Sequence, residues 1–414
     1  MIQKGEIVKS DSGRCIRVDE LIKAGGQGEA YRATEVNSGQ KVVLKVFHKR
    51  FAHGDTVKRL CFLVDQHLQS ACPVLVAPIE VLNKRDLVGH YTPFADGQLL
   101  EEFLSNPHST FIEQMQLAIT LAHAISVLHA RKIADGDLHA ENLIIKHVGS
   151  VFQLHIIDLD NFNAPGMPAP SCVGHNLYMA PELRAALAKG QPAIPTVATD
   201  LYSLGVLMHE IILLCHPSQG NDDNEADFQK AMCAGKWLMD PAVADRPSGN
   251  LGGYPTTVLN ADLARLFRSA VSLDPTKRPS SDIWETELCK SFNTVYACPK
   301  CGGPCVIDIS KVACPLCSLP FPHLTLRING HGGDIPLANG STVVGRTELG
   351  GSLKVSARHA VFHRVGPETW LESAGSNGTY RWNGSKWIRM PDRKSLLVVA
   401  GDRLRLGDIE VQLN

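Results

Sequence analysis

Two closely spaced cysteine pairs constrain this chain more than any other feature of its sequence. Cys298 and Cys301 form the first Cys-x-x-Cys pair, Cys314 and Cys317 form the second, and twelve residues separate the pairs. This spacing brings four thiolates within reach of one tetrahedral Zn²⁺ ion. A redox function would need only one pair, and no thioredoxin-like strand and helix surround either pair. We therefore predict a metal-stabilised joint between a long N-terminal part and a shorter C-terminal part.

The segment around these cysteines, residues 296–320, resembles a zinc ribbon. A segment of about twenty residues cannot bury enough core unaided, so bound zinc would supply its folding free energy. Four Cys ligands leave no coordination position open for catalysis, which predicts a structural role for the metal. Cys305 is a further thiol in this segment, at a less regular spacing.

Length and charge narrow the remaining possibilities. The chain has 414 residues, which predicts two to three domains. Its 41 Lys and Arg residues balance 42 Asp and Glu residues, so neither nucleic acid nor an anionic membrane is the expected partner. The first residues lack the apolar stretch of a signal peptide, and the cysteines outside the two pairs are scattered. We expect a cytoplasmic protein that does not span a membrane.

The N-terminal part is predicted to form a small strand-rich lobe followed by a larger helical lobe. Short β-type runs at 15–18 and 41–47 surround a glycine-rich turn at 24–31. A helix is predicted from residue 56 to residue 69. From 109 to 293, apolar residues recur three or four positions apart, which predicts several amphipathic helices.

Four polar motifs follow the glycine-rich turn in a fixed order. They are Val42-Val43-Leu44-Lys45, Asp137-Leu138-His139-Ala140-Glu141-Asn142, Ile156-Ile157-Asp158 and Met179-Ala180-Pro181-Glu182. Each is a common pattern alone, but the ordered set resembles the eukaryotic-like protein kinase family over residues 14–293. The resemblance implies an α+β bilobal fold, with the small lobe at about 14–93 and the large lobe at about 94–293.

The resemblance also implies a role for each polar residue. Lys45 would hold the α- and β-phosphates of ATP, Asn142 and Asp158 would bind Mg²⁺, and Asp137 would accept or orient the acceptor hydroxyl. The expected acceptor is a Ser or Thr hydroxyl of a protein. The implied nucleotide-binding set consists of Gly25, Gly26, Gly28, Lys45, Thr92, Phe94, Asn142 and Asp158.

Two further matches concern the scaffold of the large lobe. Asp200 resembles the residue that braces the catalytic loop of the family. Arg278 resembles the residue that pairs with the Glu of the Ala-Pro-Glu motif, which is Glu182 here. A buried ion pair of this kind fixes a loop, and the loss of one partner is costly.

The sequence also departs from the family pattern. Gly136 stands where the family has an arginine beside the catalytic aspartate, and His139 replaces the usual lysine two residues after it. The magnesium motif Asp-Phe-Gly reads Asp158-Leu159-Asp160, and the helix after Lys45 contains no Glu. Asp65 is the nearest acidic candidate for the ion pair with Lys45.

Two other interpretations stay open. The loop from Gly136 to Asn142 also resembles that of aminoglycoside and choline kinases, which phosphorylate small molecules. Those families lack the Ala-Pro-Glu segment and the braces at Asp200 and Arg278, so the sequence favours a protein substrate. A pseudokinase scaffold that mainly binds phosphopeptides is the third interpretation, but a scaffold would not need Lys45, Asp137, Asn142 and Asp158 together.

The C-terminal part, residues 323–414, is predicted to form an all-β sandwich of short strands separated by Gly and Asn turns. The motifs Val343-Val344-Gly345-Arg346, Ser356-Ala357-Arg358-His359 and Ser376-Asn377-Gly378-Thr379 occur in that order. Singly these are common turn and surface residues. The ordered set resembles a forkhead-associated (FHA) domain, in which Arg346 and Ser356 would hold phosphothreonine and Asn377 would fix the peptide backbone.

The implied partner of this region is a protein that carries phosphothreonine. Between Asp158 and Glu182 there is no threonine, and the only aliphatic hydroxyl belongs to Ser171. FHA domains prefer phosphothreonine to phosphoserine, so we expect the phosphothreonine to lie elsewhere on the chain or on another protein.

Overall fold

The computed structural model describes residues 2–84, 87–105, 109–149, 151–170, 174–219, 225–243, 253–329 and 334–414. The chain forms two compact units. The first unit comprises Met1–Thr256 and Asp262–Phe292, and the second comprises Thr257–Ala261 and Asn293–Asn414. Ser171, singled out above, lies outside the described residues.

The small lobe of the first unit contains one antiparallel sheet of six strands. In the order of the sheet they are β1 (Ile7–Lys9), β2 (Cys15–Ala24), β3 (Gly28–Glu35), β4 (Lys41–Phe47), β6 (Leu87–Pro93) and β5 (Glu80–Lys84). One face of the sheet covers a core that includes Ile16, Tyr31, Leu44 and Tyr91. The predicted strand at 41–47 is confirmed, and it places Lys45 beside His90 of β6.

Two helices follow β4, where the sequence predicts one. They are α1 (Gly54–Asp65) and α2 (Leu68–Ala71). The break falls at His67, whose φ of 48° is left-handed and cannot continue an α-helix. Leu60 of α1 packs with Phe47, Val81 and Val88 on the second face of the sheet.

The large lobe is mainly helical, as predicted. Its helices are α3 (Leu100–Ser105), α4 (Phe111–Ala130), α5 (Pro181–Ala188), α6 (Val197–Leu213), α7 (Glu225–Cys233), α8 (Ala261–Ala270) and α9 (Ser281–Phe292). Its strands β7 (Gln98–Leu99), β8 (Leu143–Val148) and β9 (Val151–Ile156) form one small sheet.

Helix α4 forms the centre of the large lobe. It begins at a capping box, in which Thr110 and Glu113 each satisfy the backbone N–H of the other, and it packs against α6 and α9. By length and apolar composition alone α4 could cross a membrane, but more than half of its apolar window is buried inside the protein. The same test is passed by core helices, and α4 is packed as one.

The second unit begins with a hairpin and continues with two antiparallel sheets. The hairpin consists of β10 (Val295–Ala297) and β11 (Pro304–Val306). The six-stranded sheet contains β13 (Asp334–Pro336), β12 (Thr325–Ile328), β21 (Ile409–Leu413), β20 (Arg403–Leu406), β17 (Thr379–Trp382) and β18 (Trp387–Arg389), in that order. The four-stranded sheet contains β14 (Gly340–Val344), β15 (Ala360–Val365), β16 (Glu368–Ser373) and β19 (Ser395–Val398).

Both sheets of the second unit contribute to one apolar core. Leu326, Leu404 and Val411 come from the larger sheet, and Phe362 and Leu371 come from the smaller one. All five side chains are almost completely buried. The strands alternate between buried and accessible residues, as expected when each sheet packs on one face only.

Candidate active site

Lys45 is the centre of the charged cluster in the first unit. Its Nζ lies 2.5 Å from Oδ1 of Asp158 and 2.9 Å from Oδ2 of Asp160. Strand β4 presents the lysine, and a 3-10 turn at Leu159–Asn161 presents the two carboxylates. Asp158 adopts a left-handed backbone with φ 61°, which starts this turn. Two segments more than a hundred residues apart in sequence thus meet at one ammonium group.

Burial and mutual charge set the pKa values of this cluster. Burial would raise the pKa of Asp158, but the adjoining Lys45 lowers it to about 2. Burial and the charge of Asp158 raise the pKa of Asp160 to about 7. Burial would lower the pKa of Lys45, but the charges of Asp160 and Asp158 raise it. Lys45 is therefore an ammonium ion at neutral pH, as phosphate binding requires.

The loop from Gly136 to Asn142, which corresponds to the catalytic loop of the kinase resemblance, positions Asp137 close to this cluster. Its Oδ2 accepts a hydrogen bond from Nδ2 of Asn161 at 3.1 Å, and Nε2 of His139 lies 3.6 Å from its Oδ1. The Asp137 side chain keeps 19% of its surface exposed, so a substrate group can reach it. Burial raises its pKa above the usual aspartate value, opposed by His139 and Asn161. The carboxylate is therefore a better proton acceptor than an exposed aspartate.

Asn142 and the glycine-rich turn adjoin the same loop. Nδ2 of Asn142 donates to the carbonyl oxygen of Asp137 at 2.9 Å, which leaves its amide oxygen available as a ligand. From the small lobe, Nε2 of Gln27 donates to Oδ1 of Asn161 at 2.8 Å. Lys23 pairs with Glu141 at 3.1 Å. Polar contacts thus join the glycine-rich turn to the 3-10 turn at Leu159–Asn161, and the end of β2 to the catalytic loop.

The three predicted glycines have different surroundings. Gly28 starts β3, and a Cβ there would collide with the carbonyl oxygen of Val46 on β4. A Cβ at Gly26 would meet nothing within 4 Å, and one at Gly25 would make an ordinary contact. Only Gly28 is therefore required by packing, whereas Gly25 and Gly26 leave the turn open for the close approach of a phosphate.

The two remaining predicted nucleotide contacts lie at the end of β6. Thr92 pairs with Val43 in the sheet. The N–H of Phe94 donates to the carbonyl oxygen of Lys41 at 3.2 Å, and its ring lies 4.7 Å from the guanidinium of Arg32. Because the Phe94 N–H has a protein partner, any contact of Phe94 with a base would involve its ring or its carbonyl group.

The predicted brace at Asp200 is confirmed. Its carboxylate accepts backbone N–H groups from Asp135 at 2.6 Å and from Gly136 at 3.1 Å. Gly136 has a φ of 78°, and a Cβ there would lie 2.7 Å from the carbonyl oxygen of Asn161. The glycine in the family's arginine position is therefore demanded by the backbone.

The predicted pair between Arg278 and Glu182 is also confirmed. The guanidinium of Arg278 donates to both carboxylate oxygens at 2.7 and 2.8 Å, in a bidentate arrangement. It donates further to the carbonyl oxygens of Ala198 at 2.8 Å and Ser272 at 3.1 Å. This one side chain, from the segment between α8 and α9, joins that segment to the first turns of α5 and α6.

The interpretation of Asp65 as the partner of Lys45 is wrong. Asp65 is the exposed last residue of α1, whereas Lys45 is occupied by Asp158 and Asp160. The buried polar residue of α1 is Arg59, which donates to the carbonyl oxygens of Asp160 and Phe162. Sequence reasoning missed Arg59 and Asp160, although an arginine on the apolar face of a helix and an aspartate in a glycine position were both visible.

The four cysteines of the predicted metal site come together in the second unit. All four sulfur atoms lie within 4.8 Å of one another. The distance from Cys298 to Cys317 is 3.6 Å and that from Cys301 to Cys314 is 3.8 Å, too long for disulfide bonds. Cys305 is buried on β11 and is not a member of the four-sulfur group.

Two loops of the second unit, 345–359 between β14 and β15 and 374–378 between β16 and β17, bring the remaining predicted residues together. Ser356 Oγ accepts the N–H of Ser376, and Nδ2 of Asn377 donates to the carbonyl oxygen of Lys354 at 2.8 Å. Nε of Arg346 donates to the carbonyl oxygen of Val355 at 2.9 Å. His359, fully buried, accepts the N–H of Ser356 through Nδ1, and its Nε2 lies 3.0 Å from the carbonyl oxygen of Gly378, so it braces both loops.

A small strand-rich lobe, a larger helical lobe and one buried charged cluster are together the arrangement of the bilobal kinase fold. A family model described as "Protein kinase domain" matches residues 16–291, more than half of the chain. The chain therefore belongs to the protein kinase family.

Several curated proteins resemble this chain. Serine/threonine-protein kinase PknD of Protochlamydia amoebophila is 25% identical over 293 residues, which cover 62% of this chain and 29% of the relative. Maternal embryonic leucine zipper kinase of Xenopus tropicalis is 30% identical, covering 53% and 32% respectively. Serine/threonine-protein kinase pkn2 of Myxococcus xanthus is 26% identical, covering 64% and 31%. The chain spans about a third of the length of these relatives.

Proposed function

We propose that this chain transfers the γ-phosphoryl group of ATP to a Ser or Thr hydroxyl of a protein. The observation that carries the proposal is the grouping of Lys45, Asp137, Asn142 and Asp158 around one site in a chain of the protein kinase family. The names of the relatives, which include Ser/Thr-protein kinases, support this acceptor chemistry.

Asp137 would act on the acceptor. Its carboxylate is partly exposed, and Asn161 fixes one of its oxygens. The raised pKa favours acceptance of the hydroxyl proton as the oxygen attacks. Catalysis in this family is mainly positioning and charge neutralisation, so the orientation of this carboxylate matters more than its basicity.

Three residues would act on the nucleotide. Lys45 supplies a permanent positive charge for the phosphates. The Asp158 carboxylate and the Asn142 amide oxygen are hard oxygen donors of the kind that Mg²⁺ prefers. The bound ion would neutralise negative charge on the β- and γ-phosphates. Asp158 keeps 35% of its side chain exposed, so it can serve as a ligand without unfolding the turn.

The scaffold favours a protein acceptor over a small molecule. Glu182 and Arg278 form the pair that the small-molecule kinases lack, and Asp200 holds the catalytic loop. This pair fixes the segment after the catalytic cluster, on which a polypeptide substrate would lie.

The test is transfer of radiolabelled phosphate from ATP by the purified full chain. Protein acceptors and aminoglycosides are offered separately, with Asp137→Asn as the key variant and the exposed Asp262→Asn as its matched control. We expect labelled protein with wild type and Asp262→Asn, and a loss of about a thousandfold or more with Asp137→Asn. Equal activity of Asp137→Asn would contradict the proposal. Labelled aminoglycoside alone would favour the small-molecule interpretation, and nucleotide binding without any transfer would favour the pseudokinase.

We also propose that residues 323–414 form an FHA domain that binds phosphothreonine. The supporting observation is that Arg346 and Ser356 lie on one loop, and that hydrogen bonds link this loop to the loop of Asn377. A Cβ at Gly345 would collide with the carbonyl oxygen of Ala357, so the turn that carries Arg346 depends on glycine. A guanidinium beside a hydroxyl suits a phosphate dianion.

Peptide binding by the full chain tests this second function. Phosphothreonine peptides, their phosphoserine twins and unphosphorylated peptides are titrated against wild type, Arg346→Ala and the control Arg327→Ala. Arg327 is an exposed arginine of β12 that pairs with Asp334. We expect phosphothreonine binding that only Arg346→Ala abolishes. Binding that does not depend on phosphate would remove the phosphopeptide function.

We further propose that the four cysteines hold one structural Zn²⁺ ion. Four sulfurs about 2.3 Å from one zinc ion stand about 3.8 Å apart at the corners of a tetrahedron, which matches the two distances above. Metal analysis should find about one zinc per chain. Cys298→Ser should lose it and the exposed Cys61→Ser should keep it. We also propose a reducing, cytoplasmic location, because the described cysteines outside this group of four are scattered thiols.

A further inference from the structure

The buried lysine of a protein kinase needs a fixed carboxylate partner, which the family takes from the helix after the lysine. Helix α1 cannot supply it, because its acidic residues are Asp55 in the first turn and the exposed Asp65 at the end. We propose that Asp160 takes over this positioning role, so that the Lys45 partner comes from the magnesium-binding segment itself. The inference rests on the proposed nucleotide binding by Lys45.

Burial separates the roles of the two carboxylates that contact Lys45. The side chain of Asp160 is 2% exposed, and that of Asp158 is 35% exposed. A buried carboxylate is costly without a cation, so Asp160 stays with Lys45. Asp158, which is more exposed, would exchange its contact with Lys45 for a metal ion. One aspartate thus holds the lysine while the other serves as a ligand.

Helix α1 still contacts this segment, but with the opposite charge. Arg59 is 6% exposed, and its guanidinium lies 5.0 Å from the centre of the Phe162 ring. It donates to the carbonyl oxygen of Phe162 at 2.8 Å and to that of Asp160. These bonds fix the backbone that carries Asp160. The helix therefore acts on Lys45 through Asp160 instead of touching it.

The charges of the cluster support this exchange. Lys45 and Arg59 contribute two positive charges, and Asp158 and Asp160 contribute up to two negative charges, so the buried group can be neutral overall. The family pattern places one carboxylate on the helix and glycine at the Asp160 position. Here the helix carries a cation and the segment carries the additional carboxylate. The two departures thus compensate each other.

A double-mutant cycle on ATP affinity tests the role of Asp160. Direct binding of ATP with Mg²⁺ to the full chain is measured for wild type, Asp160→Asn, Lys45→Met and the double variant. If Asp160 acts through Lys45, Asp160→Asn weakens ATP binding about tenfold or more when Lys45 is present. The same substitution has little effect on ATP binding in the Lys45→Met variant. Equal weakening in both backgrounds, or none in either, would overturn the inference. Because binding is measured without transfer, an inactive kinase would not obscure the result.

Two further variants separate positioning from stability. Asp240 is another buried aspartate, held by Arg268 through bonds of 2.6 and 2.7 Å. Asp240→Asn should lower thermal stability without weakening ATP binding. If Asp160→Asn does not fold, Arg59→Met replaces it in the cycle with Lys45→Met. This variant keeps every carboxylate and removes only the hydrogen bonds to the carbonyl oxygens of Asp160 and Phe162. An Arg59→Met variant with wild-type ATP affinity would contradict the role of α1.

Discussion

Removal of the Arg278 side chain should destabilise the first unit strongly. The side chain of Arg278 is 0% exposed, and it makes two hydrogen bonds to Glu182 and two to backbone carbonyl oxygens. Breaking a buried ion pair costs about 3–5 kcal/mol, because the remaining charge loses its partner. Glu182 is 33% exposed and can regain water, which places Arg278→Met near the lower end, at about 3–4 kcal/mol. At roughly 2–4 °C per kcal/mol, the midpoint of thermal unfolding should fall by about 6–16 °C.

Urea unfolding measures the loss of unfolding free energy. Hydrogen exchange with mass spectrometry, carried out separately, shows which segments lose protection. Peptides that cover 174–203 and 261–292 should lose protection in Arg278→Met, while those of the second unit should not change. Arg265→Met is the matched control, since its pair with Asp262 is exposed and worth less than about 1 kcal/mol. If the unfolding free energy of Arg278→Met falls by less than about 1 kcal/mol, the pair does not stabilise the first unit as argued.

The remaining predictions concern a glycine and a buried acid. Gly28→Ala should cost about 1–3 kcal/mol, since its Cβ would meet the neighbouring strand, whereas Gly26→Ala meets open space and should leave thermal unfolding of the small lobe unchanged. Burial raises the pKa of Glu210, which accepts a bond from Tyr178, to about 8. Because the unfolded chain ionises near pH 4.5 and the folded one near pH 8, this group's contribution to stability should fall as pH rises between these values. Glu210→Gln should remove that slope, as measured by urea unfolding at several pH values, and an unchanged slope would contradict the prediction.

Sequence alone predicts the parts of this protein that depend on ordered motifs. The bilobal arrangement, the Asp200 brace and the pair of Arg278 with Glu182 are implied by the resemblance of the ordered motifs to protein kinases. The cysteine cluster is also predicted from sequence, because the spacing of the two pairs allows all four thiolates to bind one metal ion. In each case the contact joins residues that are already recognisable one by one.

The partner of Lys45 could not be found in this way. Matching by position directs attention to α1 and hence to Asp65, whereas the carboxylate comes from Asp160 on another segment. The contact of Gln27 with Asn161 depends on how closely two loops approach, which no local pattern encodes. The sequence does contain one signal for this contact: the helix after Lys45 lacks Glu, and an aspartate, Asp160, stands where the family has glycine.

Gly136 has a consequence for how this protein can evolve. An arginine at this position would need a different backbone, because the φ of 78° suits glycine. It would also need the carbonyl oxygen of Asn161 and the ring of Pro195 to move, since a Cβ would lie 2.7 and 3.2 Å from them. Three separate parts of the chain would have to change together. An arginine beside Asp137 therefore requires more than one substitution, and a new form of control by phosphate would more readily arise elsewhere in the molecule.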